Sequence, residues 1–256
     1  MTMKVSLRWF YWALVTAGGV IVVGNHLKAG DFSDANWVGL NPGLPGANGF
    51  IYASVVDDEG NLYIGGRFTA VGTVKANNVS KWNGKSWSAL GSGISSGSYT
   101  PAVVNALAVS GTNLYVGGCF GAAGGASATN IAKWDGSTWS ALGSGIIGIV
   151  AWGWSLGVNA LAIRGGDVYA GGSFWSAGGV LATNIAKWDG NAWSALGAGL
   201  NAGYNSSVWA LDVTETNLFV GGQFTSAGGV ATMNIAQWNG SAWSSLGGGW
   251  KGRSGR

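Results

Sequence analysis

The sequence predicts an all-β fold: a β-propeller of four four-stranded antiparallel blades, either closed on itself or left as an incomplete ring. Three observations predict it. One phrase, W-[DN]-G-x-x-W-S-[AS]-L-G, begins at Trp82, Trp134, Trp188 and Trp238, at intervals of 52, 54 and 50 residues. A period of that length marks a stack of equivalent units, each too small to bury its own apolar residues. A glycine pair follows an apolar run in every copy, at Gly65-Gly66, Gly117-Gly118, Gly171-Gly172 and Gly221-Gly222, where a strand bends or meets another backbone. An Asn-Gly or Asp-Gly dipeptide separates the two tryptophans of each copy. It is the strongest short-range hairpin signal, and both central residues are expected at positive φ.

Residues 1–30 differ from everything after them. Lys4 and Arg8 precede the apolar run from Trp9 to Val23, and small or polar residues follow. That order reads as an N-terminal hydrophobic helix serving as a signal peptide or a retained membrane anchor; cleavage after Gly24 and after Ala29 both fit. The propeller is assigned to 31–256. Trp37-Val-Gly-Leu40 matches the fourth strand of a unit whose first three strands are missing, so an extra strand is expected at 37–40. The blades follow at about 47–91, 101–143, 155–197 and 205–247.

The second unit shows the pattern of each blade. Val104 to Val109 reads as a first strand, Asn113 to Phe120 as a second, Gly121 to Thr129 as a Gly/Ala-rich loop, Asn130 to Trp134 as a third strand and Trp139 to Leu142 as a fourth. The first strand is apolar on both faces, at Val104, Ala106, Leu107 and Val109, so both faces need cover. Radially arranged sheets cover one another. An open ring would leave apolar end faces available for self-association.

The paired glycines after an apolar strand, followed by an aromatic turn and a tryptophan, resemble kelch-type propeller blades. The stretch from Trp37 through Asn41-Pro-Gly to Gly65-Gly66-Arg-Phe68 resembles the delta-sixty repeats of bacterial surface proteins. The phrase N-I-A-K-W-D-G-x-x-W-S-A-L-G is similar to propeller repeats of fungal cortical cell-polarity markers. Together these resemblances cover residues 34–249. They imply a secreted or surface-attached propeller, more often an interaction platform than an enzyme; such folds host many functions. Galactose oxidase shares the kelch-like fold, but its copper needs histidine ligands that this chain lacks.

Composition narrows the chemistry. The chain has one histidine, His26, and one cysteine, Cys119. A histidine triad, a two-histidine metal site, a Cys–His dyad and an internal disulfide are all excluded by counting. A net charge of +3, spread over single lysines such as Lys81, Lys133 and Lys187, gives no basic patch for nucleic acid. Asp57, Asp58 and Glu59 form an acidic cluster without the spacing of a calcium loop, and it reads as a solvated turn. Cys119 occupies a slot held by Arg67, Ser173 and Gln223 in the other units, so it reads as an inert thiol. Sequons stand at Asn78, Asn205 and Asn239.

Nine of the 16 tryptophans belong to the repeat and are expected between blades. Five aromatics outside it stand out: Tyr99, Trp152, Trp154, Trp175 and Tyr204. All fall in loops joining a fourth strand to the next first strand, or a second to a third, which emerge on one face of a propeller. Aromatics in variable loops on a rigid scaffold suit a binding surface. The sequence therefore reads as a non-enzymatic recognition or adhesion module, exported to the cell surface, binding glycan or protein through those five residues without metal or cofactor. It contacts membrane only through an uncleaved N-terminal segment. Two alternatives stand beside this reading: a structural fragment of a larger surface repeat protein, and a polysaccharide-acting hydrolase or lyase. For the latter only Asp31 and Asp34 lie outside turns and strands.

Overall fold

The computed structural model describes residues 15–16, 19–20, 46–97, 101–148, 157–201 and 206–247. Within them the chain forms four four-stranded antiparallel meanders. The first runs Phe50–Val56, Leu62–Arg67, Val79–Trp82 and Trp87–Ala89; the second Val103–Ser110, Asn113–Cys119, Ile131–Trp134 and Trp139–Ala141. The third runs Val158–Arg164, Asp167–Gly172, Ile185–Trp188 and Trp193–Ala195; the fourth Ser207–Val213, Leu218–Gln223, Ile235–Trp238 and Trp243–Ser245. Each first strand carries a bulge, at Tyr52, Asn105, Asn159 and Trp209. The first strands of successive meanders lie side by side, as the inner strands of propeller blades do. No described residue is helical, and no helix among them is long and apolar enough to cross a membrane.

The expected N-terminal helix falls almost wholly outside the described residues. The four that are described there, Val15–Thr16 and Gly19–Val20, pair as a short antiparallel ladder, not a helix. The extra strand at 37–40 also lies outside them. Two further readings are corrected. The dipeptide turns are four-residue loops in which only the glycine has positive φ, as at Gly136. Asp135 keeps an ordinary φ because its side chain caps the loop, accepting from the backbone N–H of Ser137 at 2.8 Å and of Thr138 at 2.7 Å. The stretch from Gly121 to Thr129 is a small hairpin, Ala122–Ala123 with Ala126–Ser127, turning on Gly124-Gly125. Both glycines have positive φ, as a tight primed turn requires.

That small hairpin stitches the units together. Its outer partner, Ile94–Ser95, comes from the end of the preceding unit. The same three-stranded arrangement joins Ile146–Ile147 to the third unit and Leu200–Asn201 to the fourth. In the first unit Ala47 makes a single bridge to Val71. The loops joining units and the loops between second and third strands therefore share one end of the sheets.

The apolar core lies between meanders rather than within them. Call the face of each sheet that meets the next unit its front, and the opposite face its rear. Tyr63, Val79, Leu90 and Ile94 on the front of the first sheet meet Val104, Leu114, Val116 and Phe120 on the rear of the second. Equivalent clusters fill the second and third junctions. Burying a single valine such as Val158 stabilises by about 1.5–3 kcal/mol. The glycine pair makes the approach possible: a Cβ on Gly171 would lie 2.4 Å from Val208 Cγ1, and one on Gly117 as close to Val158. A tryptophan then ties each sheet to the one before it. Trp139, Trp193 and Trp243 donate their indole N–H to the carbonyls of Leu90, Leu142 and Leu196, each at 2.8 Å.

The series stops at both ends. Ile51 stands where Val104, Val158 and Val208 stand in the later sheets; those valines are 0% exposed and Ile51 is 47% exposed. Ile235 stands where Val79, Ile131 and Ile185 stand, and it is 41% exposed against 0% for all three. Among the described residues, then, the four sheets form an open arc whose fourth and first members do not cover each other.

Candidate functional site

Of the five aromatics expected to form the site, Tyr99, Trp152, Trp154 and Tyr204 lie outside the described residues. Trp175 is described, at the loop end of the third sheet, and is 44% exposed. Its backbone is held from both sides: its N–H donates to Ile147 O at 3.1 Å, and its carbonyl accepts from Ala182 N at 2.9 Å. The indole is thus presented on a bend held in place just before the strand Ser176–Ala177. Gly121 and Thr225 make both corresponding backbone bonds, and Thr69 makes the carbonyl one while its N–H donates to Asn48 Oδ1, so the repeat itself has no use for an aromatic there.

One row of the small sheet beside Trp175 carries large exposed apolar residues in this unit alone. Ile147, Ser176 and Leu181 lie in register across its three strands. Ile147 is 41% and Leu181 76% exposed, while Ser176 between them is buried. Ala122 and Ser226, flanked by smaller neighbours, are only half-buried at the same position. In the second unit the flanking positions carry Ser95 and Ser127, and in the fourth Asn201 and Ala231. Exposed Ile147 and Leu181 in register across one small sheet, with exposed Trp175 just before it, are therefore a property of the third unit. Ile147 also directly precedes the stretch that carries Trp152 and Trp154. Of these three exposed residues only Trp175 is among the candidates named from the sequence; Ile147 and Leu181 are not. The signal was available by aligning the four units and asking which exposed slots turn apolar in only one.

The third and fourth sheets meet at this same end through polar contacts. Ser173 Oγ lies 2.7 Å from Ser207 Oγ, and Asn159 Nδ2 donates to Ser207 Oγ at 3.1 Å and to Val208 O at 3.2 Å. Asn105 reaches Val158 O and Asn159 Oδ1 in the same way one junction earlier. This polar line fixes the height of one inner strand against the next. Cys119 forms no disulfide and sits half-buried in register with Val103 at this rim.

Two further polar groups, Asp57 and Asn78, are tied into the fold. Asp57 is partly buried, which pushes its pKa up, but bonds from Asn61 N, Asn61 Nδ2 and the Tyr63 hydroxyl more than offset this and lower it. The acidic cluster is thus tied into its own turn. No group of three His, Cys, Asp or Glu side chains among the described residues could hold a metal. Asn78 spends its side chain on the fold: Oδ1 accepts from Phe68 N and Nδ2 donates to Ile94 O. A glycan on that nitrogen would break the second bond. Asn239 is exposed and uses only its oxygen, toward Ser241 and Ala242.

No family model and no curated protein matches the chain. Among solved structures it is similar to the computationally designed Ika8 protein, with a TM-score of 0.43 and 16% identity over 77% of this chain and 48% of that one. It is also similar to the extracellular domain of a hybrid two component system from B. thetaiotaomicron, with a TM-score of 0.43 and 12% identity over 74% of this chain and 21% of that one. The chain spans about half the length of the first and about a fifth of the second.

Proposed function

We propose that this chain is a non-enzymatic recognition module of kelch-like blades, exported to the cell surface, that binds a partner through the rim of its third unit. One observation carries the reading: Trp175 is an exposed indole at a bend fixed by two backbone hydrogen bonds, near exposed Ile147 and Leu181, at a slot the other units fill with small or polar residues. An apolar patch held rigid in water loses little conformational freedom when a partner covers it, which favours binding. The aliphatic flanks favour a protein or peptide partner over a sugar, whose ring would stack on the indole alone. Export is supported by the charged, apolar and small segments that succeed one another in residues 1–30.

The test is a displayed peptide library and a glycan array, both probed with the chain and with Trp175→Ala. The reading expects peptide binders whose affinity falls tenfold or more in the variant. Binders indifferent to Trp175, or glycan hits with no peptide hits, contradict it.

A further inference from the structure

The two ends of the arc are halves of a junction that the chain already makes three times. The front of the fourth sheet presents Gly221 and Ile235, and a Cβ on Gly221 would meet nothing nearer than Ala210 Cβ at 3.7 Å. At Gly65, Gly117 and Gly171 the same Cβ would strike a valine of the next sheet at 2.4 Å. The rear of the first sheet presents Ile51, in register with Gly66 as Val104 is with Gly118. An empty slot and an unused knob of the right kind therefore stand at opposite ends of one molecule.

Two polar departures from the repeat fall on these faces. Leu107, Leu161 and Leu211 occupy one rear position; the first sheet has Ser54 there. Val55, Ala108 and Ala162 occupy one front position; the fourth sheet has Asp212 there. In the third junction these two positions share one core cluster, Leu211 packing against the group that contains Ala162. The apolar pairing of the internal junctions, leucine with valine at the first and with alanine at the second and third, becomes serine with aspartate at the ends. A carboxylate entering a partly dry contact needs a hydrogen-bond donor, and a hydroxyl supplies one.

We propose that the open faces dock on each other between two copies of this chain, front of the fourth sheet onto rear of the first, twice over, giving a closed eight-bladed ring. Ile51 of each copy fills the space over Gly221 of the other, and the Ser54 hydroxyl donates to the Asp212 carboxylate. The number follows from geometry. Closure within one chain would cover Ile51 and Ile235, which are exposed, and three copies would exceed the four to eight blades that propellers ordinarily hold. Two identical contacts related by a twofold axis close the assembly and leave no free end. This inference rests on the end faces and is independent of the rim around Trp175.

Sedimentation equilibrium of the full chain tests it. The expected mass is twice the 25.9 kDa of one chain, and Gly221→Ala halves it while leaving the β-sheet circular dichroism unchanged, because the added methyl touches little within its own chain. A cross-link then reports the register: with Cys119→Ser, the pair Ser54→Cys and Asp212→Cys treated with a short bis-maleimide gives chains joined in twos. A monomeric full chain overturns the proposal, as would occur if its own residues 1–30 covered the rear face. A link formed within one chain overturns it, because the ring then closes on four blades. A mass that keeps rising with concentration overturns it in favour of an open filament.

Discussion

The indole N–H of Trp193 donates to the carbonyl of Leu142 across 51 positions of sequence, at 2.8 Å and inside a buried junction. Trp193 also meets its own sheet's Trp188, ring centroids 5.5 Å apart and tilted by 54°. One side chain thus joins its hairpin and the preceding unit. Trp193→Phe removes one of the two hydrogen bonds that the Leu142 carbonyl accepts, the other coming from Gly145 N at 3.1 Å, and costs about 0.5–1.5 kcal/mol. Urea unfolding is expected to show that loss; an unchanged midpoint would mean the bond carries no stability.

Asn184 adopts a left-handed backbone at φ 64°. Its Oδ1 accepts from Phe174 N, and its Nδ2 donates to Leu200 O at 2.9 Å and to Ser206 Oγ at 2.7 Å. Asn184→Gly loses the bonds but keeps the conformation; Asn184→Ala loses both. The alanine variant is expected to be less stable than the glycine variant by about 1–2 kcal/mol. Equal stabilities would remove the backbone argument.

The backbone N–H groups of Thr138 and Ser137, then their hydroxyls, hold the Asp135 carboxyl far below the usual carboxylate range. A depressed folded-state pKa contributes stability above the unfolded value, about 3.9, and that contribution is lost as pH falls through the folded value. Asn83 and Asn239 cap the equivalent loops with a neutral amide. Asp135→Asn is therefore expected to keep the loop and flatten the loss of stability below pH about 4. Acid titrations of the two proteins that superimpose would contradict this.

Much of this arc was legible because its strands are long enough to show a pattern. The second strands, with their glycine pairs, and the third strands, ending in tryptophan, are where the repeat placed them. The small stitching sheets were not legible: Ile94–Ser95 and Ala122–Ala123 are two residues each, too short for any period. The Gly-Gly turn at Gly124-Gly125 was the available clue, hidden among other glycines. The loop geometry at Asp135-Gly136 was misread because the dipeptide reports a turn without reporting which side-chain cap replaces a positive φ at its first residue. At the candidate site Trp175 stood out by its type. Ile147 and Leu181 did not, since apolar residues in a strand look buried until cross-strand partners are known.

Trp175→Ala removes an exposed side chain that lines no core cluster. Its effect on the urea midpoint is expected to be within about 0.5 kcal/mol, with binding lost. A large destabilisation would make Trp175 a packing residue and remove it from the site.

The most direct measurement of the open arc is one substitution made four times, in protein dilute enough to be monomeric. Gly65→Ala, Gly117→Ala and Gly171→Ala each force a methyl against the next sheet, and each is expected to lower stability by about 1–3 kcal/mol. Gly221→Ala has nothing to strike and is expected to leave urea unfolding unchanged. A loss in all four would show that the fourth sheet is covered within its own chain; a loss in none would show that the sheets do not pack face to face.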